Sequence, residues 1–131
     1  MDDLTREWLG MAGQDLDVAR HLYETFFPRP LEIVCRHCQQ AAEKAVKAVL
    51  VCEGASVPRS HDVSYLLGRL PQGRAVDDGL LDAADALTPY GVAVRYPNEL
   101  GLEDRHAEQA LEHASWLLSW AAGQIGPDPS G

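Results

Sequence analysis

This chain is short of cysteine, of positive charge and of long apolar runs, and each shortage narrows what it can be. Its three cysteines are an odd number, and no hydrophobic leader opens the 131 residues. Both features predict a reducing, cytoplasmic setting. Only 11 Lys and Arg stand against 20 Asp and Glu, a formal net charge of -9. A surface of that sign repels DNA, RNA and acidic membranes, so any nucleotide or RNA site needs a local basic patch. Apolar runs stop after a few residues, far below the ~20 that span a bilayer. There is no Gly-rich phosphate loop, no pair of catalytic carboxylates in a recognisable motif and no serine nucleophile elbow. Cys35 and Cys38 form a C-x-x-C pair. No second pair accompanies it, and Cys52 lies about four helical turns further on. Four zinc ligands cannot be assembled from these residues. The thiols are therefore expected to pack as small hydrophobes, with no metal and no cofactor.

What is present is helix. Between Cys35 and Leu50 four of sixteen residues are Ala, the best helix former. Val34, Cys38, Ala41, Ala45, Val49 and Cys52 repeat at helical spacing, and Gln40, Glu43, Lys44 and Lys47 form an adjoining polar stripe. This predicts a central helix with one side in its own core and a mixed edge facing something else.

The other elements follow in order. Thr5 is the expected N-cap of a first helix whose apolar face is Trp8, Ala12, Leu16, Ala19, Leu22, Tyr23 and Phe26. Asp15 and Asp17 are assigned to its wet side, and Pro28 and Pro30 end it. The second helix runs from about Leu31 to Glu53, and Gly54 stops it. Ser60 or Asp62 caps a short third helix holding Val63, Leu66, Leu67 and Leu70, closed by Pro71 and Gly73. A fourth spans about Asp77 to Leu87, with Asp78, Asp82 and Asp85 in solvent. Thr88 to Gly101 is a Pro- and Gly-bounded connection carrying Tyr90, Val92, Val94, Arg95 and Tyr96. A last helix runs from about Leu102 to Gln124. No internal repeat or sustained strand alternation is visible. The expectation is an all-α, up-and-down bundle of about five helices, one domain over residues 1–125, with a disordered tail over 126–131.

Several side chains have both a functional and a structural role open to them. Gln40, Lys44 and Lys47 can hold a phosphate or a partner. Equally, Glu43 and Lys47 are an i,i+4 pair in the favourable order, and the stripe can be an intrahelical ion pair or a dimer seam. Arg95 and Tyr96 offer a guanidinium fork and a ring in a constrained loop, or tie that loop to helix carbonyls or to Glu43. His61, two residues after Arg59, can do acid–base work or simply be exposed. His37 is a candidate for a dimer cleft, while His21, His106 and His113 are assigned to the surface.

Four segments resemble a known family. Trp8, Ala12, Asp15, Leu16 and Ala19 resemble its W-x3-A-x2-D-L-x2-A opening. Gln39-Gln40-Ala41-Ala42-Glu43-Lys44-Ala45-Val46-Lys47-Ala48 resembles its second-helix signature. Pro58-Arg59-Ser60-His61-Asp62 with Leu66-Leu67, and then Val94-Arg95-Tyr96-Pro97, resemble the two that follow. The family is the HEPN domain (higher eukaryotes and prokaryotes nucleotide-binding). The resemblance implies a homodimeric prokaryotic bundle encoded beside a minimal nucleotidyltransferase, often as a toxin–antitoxin pair. It also implies metal-independent RNA cleavage wherever Arg is followed, after four to six residues, by His. This sequence departs from that motif: Arg29–His37 and Arg105–His113 each enclose seven residues, and Arg95–His106 encloses ten.

The expected function is therefore a non-catalytic dimer that binds a small nucleotidyltransferase, with a nucleotide as a candidate ligand. Much of the dimer contact is expected from the second and last helices. Ligand-binding candidates are Gln40, Lys44, Lys47, Arg59, Arg95 and Tyr96. The alternative is an endoribonuclease toxin using His61 and Arg95, in which His moves the 2′-hydroxyl proton and Arg stabilises phosphorane charge. A third option is a tyrosine nucleotidylated by the transferase.

Overall fold

The computed structural model describes residues 1–71, 76–91 and 101–126. They form five helices: α1 (Asp3–Thr25), α2 (Leu31–Cys52), α3 (Val63–Gly68), α4 (Asp78–Leu87) and α5 (Asp104–Ile125). A 3-10 turn, Thr88–Gly91, follows α4. Among the described residues there is no strand, so the all-α architecture is the one the periodicity predicts. Most of the connection expected between Thr88 and Gly101, with Arg95 and Tyr96, lies outside the described residues, as does the tail beyond Gly126.

α2 is the axis of the bundle. It packs most extensively against α1 and α5 and also meets α3, α4 and the 3-10 turn. Thirteen of its 22 residues are buried. Ala41, Ala42, Ala45 and Ala48 are fully enclosed, and their small size lets the neighbouring helices come close. Leu50, Leu66, Leu80, Leu87 and Leu117, drawn from four helices, are the largest fully buried side chains. Each contributes about 2–3 kcal/mol of apolar burial.

Helix ends are set by side chains that satisfy orphaned backbone groups. Asp62 accepts from Tyr65 N at 3.1 Å to start α3, and Asp77 accepts from Leu80 N at 2.7 Å to start α4. Gly54, at φ 73°, ends α2. Its N–H donates to Val51 O at 2.9 Å, and Ala55 N–H donates to Leu50 O at 3.0 Å. That is a Schellman closure, which requires the left-handed backbone that glycine adopts most readily.

Several expectations are corrected. The cap of α1 is Asp2, whose Oδ1 accepts from Thr5 N at 2.7 Å. Thr5 therefore turns inward and is fully buried. Phe26 and Cys52 are exposed, because α1 and α2 end or turn outward there. His106 is half-buried, and its Nδ1 accepts from Glu103 N at 2.8 Å, closing the first turn of α5. Asp15 is buried. It lies three residues after Ala12 and four before Ala19, so it shares their inward face, and the packing of α1 on α2 encloses all three. No helix among the described residues is long and apolar enough to cross a membrane.

Candidate functional site

The polar edge of α2 is two parallel rows at four-residue steps, as helical geometry dictates. The inner row is Gln39, Glu43 and Lys47, only 1%, 6% and 7% exposed. Ionic groups buried to this degree must be paired, and they are. Glu43 Oε2 accepts from Lys47 Nζ at 2.8 Å. Glu43 Oε1 lies 2.9 Å from His61 Nδ1 and accepts from Gln39 Nε2 at 3.1 Å. Gln39 Nε2 also donates to the His61 carbonyl at 2.8 Å, so one amide fastens the His61 backbone while holding the carboxylate. Burial alone raises the Glu43 pKa, but the bonds from Lys47, His61 and Gln39 outweigh it and hold the carboxyl below its ordinary value. Lys47 additionally lies over the Trp8 ring, 5.5 Å from its centroid.

The outer row is Arg36, Gln40 and Lys44. Lys44 Nζ reaches Asp15 Oδ2 on α1 at 2.6 Å, and Asp15 Oδ1 lies 3.2 Å from His37 Nδ1. Arg36 is exposed and has no ion-pair partner among the described residues.

Between the rows and the loop before α3 opens a cleft of about 220 Å³. Arg36, Gln40 and Lys44 form one wall; Gln39, Glu43 and His61 form the other; Gly91 of the 3-10 turn closes an end. A Cβ on Gly91 would stand 2.7 Å from the Gln39 amide, so only glycine lets the turn pass so close. Among its lining residues two cations (Arg36 and Lys44) meet one carboxylate (Glu43). A chain of net charge -9 thus carries a local positive excess at this spot.

Of the residues singled out from sequence, Gln40, Lys44 and His61 line the cleft. Lys47 lies behind it, committed to Glu43. Arg59 is exposed on the adjoining loop. Arg95 and Tyr96 lie outside the described residues. His37 is engaged with Asp15, within its own chain. Arg36, Gln39 and Asp15 were not legible as site residues. The sequence signal for Gln39 and Arg36 is spacing: they sit four residues before Glu43 and Gln40, respectively.

Cys35 and Cys38 are free and buried in the core. Burial pushes their thiols up to about 11 and about 12, which leaves them un-ionised and unreactive. Among the described residues no cluster of three His, Cys, Asp or Glu is placed to hold a metal ion.

Solved structures share this fold. TT1696 from Thermus thermophilus superposes with a TM-score of 0.84 at 26% identity, covering 94% of this chain and 99% of its own. ST0689, an archaeal HEPN homologue, gives 0.77 at 28% identity, covering 96% and 100%. The HEPN domain protein tm0613 from Thermotoga maritima gives 0.73 at 29% identity, covering 89% and 95%. No curated protein matches the chain. The HEPN domain profile matches residues 5–124, nearly the whole of the bundle and both rows of the cleft, and the chain belongs to the HEPN domain family.

Proposed function

We propose that this HEPN protein is a non-catalytic homodimer that binds a small nucleotidyltransferase in a toxin–antitoxin-like pair, with a nucleotide phosphate held in the α2 cleft. The observation that carries the ligand is the positive excess around that cleft in an otherwise acidic chain. Arg36 supplies a guanidinium with no ion-pair partner among the described residues, Lys44 a second cation shared with Asp15, and Gln40 and His61 further hydrogen-bonding groups. The ion pairs and hydrogen bonds beneath them fix the floor before any ligand arrives, which lowers the ordering cost of binding. The acidic remainder of the surface suits a basic protein partner better than RNA.

Two experiments test this. Co-expression with a small nucleotidyltransferase should yield a stable complex, and elution of the two proteins apart would end the partner assignment. Calorimetry with ATP should show saturable binding that Arg36→Ala weakens about tenfold or more, the loss of one charged hydrogen bond. Equal affinity in the variant would remove the cleft from consideration.

One contact favours a second reading, a metal-independent endoribonuclease. His61 is 77% exposed in its side chain while its Nδ1 is held by Glu43, the arrangement of an oriented general base. The Arg–His spacing departs from the family's cleaving motif. RNA cleavage by the wild type, abolished in His61→Ala, would establish this reading over the first.

A further inference from the structure

A carboxylate beside one imidazole nitrogen decides which nitrogen carries the hydrogen. Glu43 is ionised and can only accept, so at 2.9 Å it takes a hydrogen bond from His61 Nδ1–H. In the neutral ring that leaves Nε2 as an unprotonated acceptor on an exposed side chain lining the cleft. The surrounding charges are already largely committed. From α2, Lys47 is held by Glu43 and Lys44 by Asp15 of α1. From the loop itself, Asp62 caps α3, and Arg59 is exposed and is not among the residues lining the cleft. The 3-10 turn contributes Gly91 and no charged group. Arg36 is the one cation in the cleft with no carboxylate on it among the described residues. Lys44 shares its charge with Asp15, so a doubly charged anion seated there gains from a further positive charge, and among the described residues lining the cleft the imidazole is the group able to acquire one.

We infer that the cleft takes up a tetrahedral oxyanion of the phosphate-ester class together with one proton from solvent, which His61 Nε2 receives and then donates to an anion oxygen. Glu43 keeps the ring oriented by Nδ1 in both protonation states, and Gln39 fixes the loop through the His61 carbonyl. This deepens the nucleotide-binding assignment and rests on it.

Inorganic sulfate is the probe, because its charge stays constant from about pH 6 to pH 8, so any proton uptake belongs to the protein. Sulfate affinity is measured by NMR titration of the full chain across that range. The wild type should bind about five- to tenfold more weakly per pH unit on the alkaline side, the limit for one linked proton. Nitrogen shifts of the His61 ring should report Nδ1–H without sulfate and both nitrogens protonated with it. His61→Gln, at an exposed side chain, should change affinity by less than about twofold over the same range. A flat wild-type profile, or an undiminished slope in His61→Gln, overturns the inference. ATP binding that persists alongside a flat sulfate profile removes the proton linkage and leaves the ligand assignment standing. Absence of binding by sulfate and ATP alike at the acid end removes both.

Discussion

At the scale of single residues, Glu43 carries the heaviest load, because two cationic or potentially cationic groups and one amide converge on it. Replacing it with Gln keeps the shape and strands Lys47, 7% exposed, beside Trp8 without a counter-charge. Breaking one side of a buried pair costs about 3 kcal/mol. The pH dependence has a definite sign. The folded-state pKa of Glu43 lies below its ordinary value of 4.5, so its ionised form stabilises the fold above that value, and the contribution is lost as pH falls through the folded pKa. Urea unfolding should therefore show a gap between wild type and Glu43→Gln that is widest near neutrality and narrows in acid. A gap independent of pH would refute the assignment. Gly91→Ala tests the same cluster from the other side. Its Cβ would meet Gln39 at 2.7 Å, and Gln39, buried with two bonds already made, has little room to retreat. We expect a loss of about 1–3 kcal/mol in thermal or urea unfolding and weakened ATP binding in calorimetry.

At the scale of elements, α2 is defined by how it ends and by how small its inner face is. Gly54→Ala forces a side chain into φ 73° and should cost about 1–2 kcal/mol, read from the urea midpoint. Ala45 is fully enclosed in a small cluster with Ala12, Val49 and Ala121. Leu at that position would push α1 and α5 off α2, and calorimetric melting should register about 1–3 kcal/mol of overpacking. A neutral result for Ala45→Leu would mean that the helices are not in close contact there.

At the scale of the whole molecule, the subunit contact expected from α2 meets a physical limit. Within one chain α2 leaves only Glu32, Ile33, Arg36 and Cys52 exposed, because five other elements pack on it. Besides Ile33, exposed apolar side chains line one side of α1, where Leu4, Met11 and Val18 stand seven apart, and Trp116 is 45% exposed on α5. If the protein is the proposed dimer, this is the surface that association hides. Light scattering should give twice the chain mass for the wild type and the chain mass for Met11→Asp, with unchanged helix content. A dimer that survives Met11→Asp places the interface elsewhere.

The sequence by itself determined the helices, their order and most of their ends. Apolar spacing, Asp62, Asp77, Gly54 and the prolines act within a few residues of one another, and local physics is written locally. It also offered the Glu43–Lys47 pair as one of two open readings, because helical geometry sets the distance between positions four apart. The partners separated by many residues were decided by tertiary structure alone. Asp15 looked wet until α1 packed on α2 and brought it to Lys44 and His37, and His61 gained Glu43 only when the loop before α3 folded back across the helix. Burial then changed what those charges mean: Lys47, legible as a solvated phosphate ligand, is spent on Glu43. Arg36, marked in the sequence only by its four-residue step to Gln40, keeps its charge unpaired beside the cleft because the described part of the bundle gives it no carboxylate.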